Sequence, residues 1–113
     1  MLKKNQRLKY DKDFDQLFKI GRSFYGPFLG FKTISNNLDI SRFGILVGTK
    51  VSKKAVVRNK IKRQIRGILS QKMANIKPGN DLVIITFPKI INQNFVSIEA
   101  SIEDGLKRLK ILI

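Results

Sequence analysis

Three patterns in the 113-residue sequence predict a single α+β domain with elements in the order α-β-β-α-β-α. Residues 53–73 repeat apolar side chains at helical spacing. Residues 28–35, 42–49 and 81–87 alternate, or run continuously apolar, as strands do. No internal repeat, linker or low-complexity tract divides the chain, and its length suits one domain. A chain of this size buries roughly two thirds of its unfolded surface. A composition 42% hydrophobic with eight Phe can fill such a core.

The elements follow in order. "DKDFDQLFKIG" reads as a helix, with Asp11 as N-cap, Asp13 and Asp15 at the positive end of the dipole and Gly21 as the stop. Phe14, Leu17 and Phe18 share one face of it. In "FLGFKTIS" the alternation puts Leu29, Phe31 and Thr33 on one face and Phe28, Lys32 and Ile34 on the other. Asn36-Asn37 opens a loop, and the short link to "RFGILVGT" predicts that these two strands are antiparallel. The long helix is closed by "KPGN". "DLVIITF" is rich in β-branched residues and reads as a buried strand ended by Pro88. Asn94 caps a last helix, where Glu103 precedes Lys107 and Asp104 precedes Arg108 by four. Gly105 counts against that helix.

Charge points to a partner. Twenty-three Lys and Arg against eight Asp and Glu give +15, a self-repulsion that does nothing for the fold and marks a polyanionic partner. The 41 residues between Asp39 and Asp81 hold no carboxylate and eleven cations. The chain has no Cys, hence no disulfide or thiolate metal site, and no His, the commonest general acid/base and metal ligand. No apolar run approaches the ~20 residues of a membrane span. The start "MLKKNQRLKYDKDF" lacks the hydrophobic core of a secretory signal. The expected place of work is the cytoplasm.

The long helix is two-faced. With Val57 at the zero of a helical wheel, Ile61, Ile65 and Ile68 fall within about 80° on one side. Asn59, Lys62, Arg63 and Arg66 share the opposite face, and Arg58 lies at the border. Guanidinium forks and ammonium groups on a face without acids suit phosphate oxygens. A merely solvated basic face and a membrane-lying helix are the alternatives, the second opposed by the sheet's need for the apolar side. For the aromatics two readings stand. The Phe rings of the first helix and first strand fill a core, or they face a groove between that helix and the sheet where rings stack on unpaired bases, flanked by Lys12, Lys32 and Arg42.

"VGTKVSKKAVVRNKIKRQIR" resembles the signature of the bacterial ribonuclease P protein subunit, through Lys50, Lys53, Lys54, Ala55, Arg58, Asn59, Lys62, Arg63 and Arg66. The sequence departs from that signature at Lys60, usually Arg, and at Thr49, usually Lys. "RLKYDKDFDQLFKIGRS", "RFGILV" and "DLVIITFP" resemble further parts of the family, so the likeness spans nearly the whole chain. It implies an α+β sandwich similar to a ribosomal-protein domain, with a left-handed βαβ crossover in place of the usual right-handed one. It also implies an accessory role: the RNA subunit removes the 5′ leader of precursor tRNA with magnesium at the RNA active site, while the protein does no bond chemistry and binds no cofactor. By the resemblance, Lys50, Lys53, Lys54, Arg58, Asn59, Lys60, Lys62, Arg63 and Arg66 face the RNA subunit. By the same resemblance Phe14, Phe18, Leu29 and Phe31 line the cleft for the leader, with Lys12, Lys32 and Arg42 as the flanking cations read above. Membranes and small-molecule cofactors are not expected partners. The competing readings are a ribosomal or other structural RNA-binding protein, a free-standing nuclease, for which Asp11, Asp13 and Asp15 are better explained by capping, and a helix-turn-helix DNA binder.

Overall fold

The computed structural model describes residues 4–9 and 11–113; residues 1–3 and Tyr10, in the stretch read above as lacking a secretory signal, lie outside the described residues. Helix α1 (Asp11–Ile20) is followed by strands β1 (Arg22–Tyr25), β2 (Leu29–Ser35) and β3 (Arg42–Leu46), helix α2 (Ala55–Lys72), strand β4 (Asn80–Thr86) and helix α3 (Phe95–Arg108). Short 3₁₀ turns precede α1, extend α2 and follow β4. Among the described residues no helix is long and apolar enough to cross a membrane.

The four strands form one sheet in the order β1-β2-β4-β3. β2 is antiparallel to β1 and to β4, while β3 is parallel to β4, the two joined by the α2 crossover. β2 and β3 therefore run in opposite directions, as their short link predicts, but they are not paired. β4 lies between them because its run Asp81–Ile84 is buried, and a strand covered on both faces belongs in the middle. The link of residues 36–41 needs to bridge only the ~10 Å between second neighbours.

Strand β1 is absent from the predicted order. It has four residues, three of them exposed, and forms an edge hairpin with β2 across Gly26-Pro27. Alternation there is too short to register. At the other end of the chain Asn94 caps α3 as predicted, its Oδ1 accepting from Ser97 N at 2.8 Å. α1 starts at Asp11 itself, so Asp11 is its first helical residue and not its cap; such ends shift by a residue or two.

Helices lie on both sides of the sheet. α2 and α3 cover one face, where Leu29, Phe31, Phe43, Leu82 and Ile84 meet Ile61, Ile65, Ile68, Leu69, Ile98, Ile102 and Leu106 in the main core. α1 covers part of the other face, where Leu17 and Leu8 pack on Val83 with Phe14, Ile34 and Ile85 around them. Gly105 belongs in α3 despite its poor helix propensity, because the Phe31 ring occupies the space that a side chain there would need.

Candidate nucleic-acid interface

Of the predicted apolar stripe of α2, Ile61, Ile65 and Ile68 are buried, joined by Leu69, and Val57 at its start is half-buried. Asn59, Lys60 and Arg63 are exposed, Lys62 and Arg66 half-buried, and Lys50, Lys53 and Lys54 exposed in the approach to the helix. Arg58, at the border of the stripe, donates from Nη1 to the Ser52 carbonyl at 2.9 Å and ties the helix start to its loop. Among the described residues none of these cations pairs with a carboxylate; the ion pair made by α2 is at its far end, Lys72 to Glu103 at 3.4 Å. Hydrogen bonding by Lys107, then the charge of Lys72, holds the Glu103 carboxyl below its usual range.

Burial splits the face into flanks. Lys60 lies beside α3, in a depression lined by Val57, Ile61, Gln64, Ile90 and Ile91. Arg66 lies on the other flank, at the β3 edge, where it lines a recess of about 320 Å³ with Arg7, Lys9 and Phe14. The N-terminal segment reaches this edge through Leu8 N, which donates to the Phe43 carbonyl at 2.9 Å. Arg7 and Lys9 are absent from the residues singled out in the sequence; being remote from α2 in the chain, they are brought to it only by that edge pairing.

Phe14 joins this recess to a second hollow, an open groove of about 480 Å³ lined by Asp11, Phe14, Asp15, Phe18 and Leu46. Leu17 anchors α1 beneath it, and the ring of Phe14 rests over Gly44, where an added Cβ would lie 2.7 Å from it. Phe18 is 44% exposed. The Lys32 ammonium stands 5.8 Å from the Phe18 ring centroid and donates to Ser23 Oγ at 3.0 Å. It is also 5.9 Å from the ring of Tyr25, a residue sequence reasoning missed because β1 was missed. The Ser23 hydroxyl, and then Lys32, hold the Tyr25 phenol below its ordinary 10.0.

Four predicted groove residues do not line it. Leu29 and Phe31 are 0% exposed in the main core, on the α2/α3 face of the sheet. Strand alternation puts Lys32 and Ile34 toward α1, so their odd-numbered neighbours must point away from it. Arg42 is on the correct face but committed. Its Nε and Nη2 donate to the two carboxylate oxygens of Asp81 at 2.8 and 2.6 Å, and Nη1 lies 3.6 Å from Asp13. Asp81 also accepts from Asn36 Nδ2 at 2.8 Å. Lys12 is exposed, and two residues before Phe14 it lies on the far side of α1 from the sheet. Among the described residues no three His, Cys, Asp or Glu side chains are placed to hold a metal ion.

The arrangement is thus a continuous path, from acid-free cations on α2, round the β3 edge by Arg66, to half-exposed rings under α1. The sequence profile of the Ribonuclease P family matches residues 2–110. The Ribonuclease P protein component of Synechocystis is 43% identical over 95 residues, covering 83% of this chain and 77% of that one. The structure of the Staphylococcus aureus RNase P protein superposes with a TM-score of 0.88 at 31% identity, over 96% of this chain and 98% of that one. The RNase P protein from Thermotoga maritima gives 0.82 at 33% identity, over 90% and 96%. In profile, sequence and fold together, the chain belongs to the Ribonuclease P family of protein components.

Proposed function

We propose that this chain assists removal of the 5′ leader from precursor tRNA by binding two RNAs at once. The outer face of α2, with its approach, holds the catalytic RNA subunit. The groove under α1 holds the single-stranded leader through Phe14, Phe18 and Lys32, without Leu29, Phe31 or Arg42. The observation that carries the reading is the row of α2 cations with no carboxylate partner among the described residues. Guanidinium and ammonium groups left unneutralised on a rigid helix are preorganised for phosphates, and each contact displaces counterions from the RNA. The bond chemistry belongs to the RNA, which supplies the magnesium site for phosphodiester hydrolysis. The protein alone cleaves nothing, and the complex works as a cytoplasmic ribonucleoprotein.

The test is the salt dependence of affinity for ribonuclease P RNA, in wild type and in Arg63→Ala. Arg63 is exposed and opposite the buried stripe, so its loss should weaken binding, flatten the slope of log K against log salt by about one unit, and leave the melting temperature unchanged. An unchanged slope with a lowered melting temperature would make Arg63 structural. Equal affinity for ribosomal RNA would favour a general structural RNA-binding role.

A further inference from the structure

We propose that Tyr25, on the edge strand β1, is a second stacking position for an unpaired RNA base, and that Lys32 takes the phosphate between the nucleotide on Tyr25 and the one on Phe18. The inference rests on the reading of the α1 groove as the leader site and extends that site past α1, across the open end of the sheet.

Three observations carry it. First, Tyr25 is 55% exposed, yet its ring is held in place. It lies on Gly30, its cross-strand partner, where an added Cβ would come within 2.8 Å of the ring, and beside Phe87 with centroids 6.4 Å apart. A fixed, half-exposed ring loses little freedom on stacking, and any base can occupy it. Second, one ammonium serves two rings. Lys32 is within 6 Å of both the Phe18 and Tyr25 centroids, and its hydrogen-bonding partners are neutral, the Ser23 hydroxyl and the Tyr25 phenol. It joins no ion pair among the described residues, which leaves its charge for an anion. Third, the two ends of the groove differ in sign. Asp11 and Asp15 line the end beyond Phe18, which disfavours a phosphate there. The backbone of a strand whose base stacks on Phe18 is therefore drawn toward Lys32, and its next base toward Tyr25. A ring–ammonium–ring series at an open sheet edge suits single-stranded RNA better than a duplex, whose bases are already stacked.

The experiment uses the assembled complex of protein and RNA subunit, with precursor tRNAs whose leaders grow one nucleotide at a time, and mature tRNA as the control. Tyr25→Leu keeps apolar volume and removes the stacking plane; Tyr25→Phe keeps the plane. The expected result is a roughly 5- to 100-fold loss of affinity in Tyr25→Leu for long leaders. Mature tRNA, and leaders too short to pass Phe18, should show no loss, and Tyr25→Phe should bind like wild type. Should Tyr25→Leu fold poorly, Tyr25→Thr, a residue suited to an edge strand, replaces it with the same expectation. If Phe18→Leu weakens leader binding and neither Tyr25 variant does at any length, the second position is refuted and the leader groove stands. If Phe18→Leu also binds every leader like wild type, the groove reading falls and takes this inference with it.

Discussion

Phe31 and Gly105 are each intelligible only through the other. The Phe31 ring is buried between Phe24, stacked on it at 6.3 Å, and the backbone of α3 at Gly105. Alanine at 105 would gain about 1 kcal/mol of helix propensity, but its methyl would enter the ring's space, and overpacking costs about 1–3 kcal/mol. Gly105→Ala should therefore lower stability or at best leave it unchanged, against the propensity rule. In a Phe31→Leu background the same change should cost less or stabilise, because the flat ring that excludes the methyl is gone. Urea denaturation of the two single variants and the double variant measures this; strict additivity would mean that the ring and the helix do not touch. The same pair marks the limit of what single residues disclose. The separation of Leu29, Phe31 and Thr33 from Lys32 and Ile34 was legible in the alternation of the strand, but Phe28, read with the second set, precedes β2 and joins the main core. Which set faces α1 was not legible, since both faces of this sheet are covered by helices and apolarity favours neither. Gly105, in retrospect, was the signal, a small residue in a helix where a large ring approaches.

Helix α2 was the most legible element, because eighteen residues give five turns and the apolar period holds from Val57 through Ile61 and Ile65 to Ile68. Strand β1 was the least, because four residues with three exposed offer no period, and its partner is supplied by the hairpin turn. Its loss hid Tyr25, just as the remoteness of residues 7 and 9 from α2 hid Arg7 and Lys9. Local pattern finds what an element does alone and misses what the sheet brings together. α3 shows the intermediate case: its i,i+4 pairs Glu103–Lys107 and Asp104–Arg108 were readable and are present at 3.4 and 3.5 Å, whereas the bridge from Glu103 to Lys72 on α2 was not. The Glu103 carboxylate, shared by Lys107 and Lys72, has a pH signature. The Glu103 carboxyl is held below its unfolded range by Lys107 and Lys72, so ionised Glu103 favours the folded state. The contribution is present above the unfolded pKa of about 4.3 and fades as pH falls through the lower folded value. Melting temperatures of wild type and Glu103→Gln should therefore differ slightly at pH 7, and the gap should shrink as pH falls below the unfolded pKa of about 4.3. A gap that persists unchanged at pH 3 would show that the carboxylate charge is irrelevant there.

At the scale of the whole molecule the governing quantity is +15 on a body with a radius of gyration of 13.1 Å. At 0.01 M ionic strength the screening length, about 30 Å, exceeds that radius, so every cation repels every other through the folded state. At 1 M it is about 3 Å and only contact pairs still interact. Against this repulsion the described residues offer few ion pairs. Those on α3 are largely exposed and worth little at any salt. The one well-buried cluster, Arg42 with Asp81 and Asp13, is shielded from screening by its burial. Salt therefore removes more repulsion than attraction. The free protein should become more stable as sodium chloride rises from about 0.01 to about 0.5 M, where the screening length has become shorter than the molecular radius. The urea m-value should stay constant, since the surface exposed on unfolding is unchanged. Arg42→Met should lower stability by about 2–4 kcal/mol, by leaving Asp81 buried without its guanidinium, and should keep the upward salt trend. A protein that loses stability with salt would mean that attraction among exposed charges outweighs the repulsion. In that case the excess of cations would belong to the fold's own electrostatics, and the argument from charge to a polyanionic partner would lose its footing.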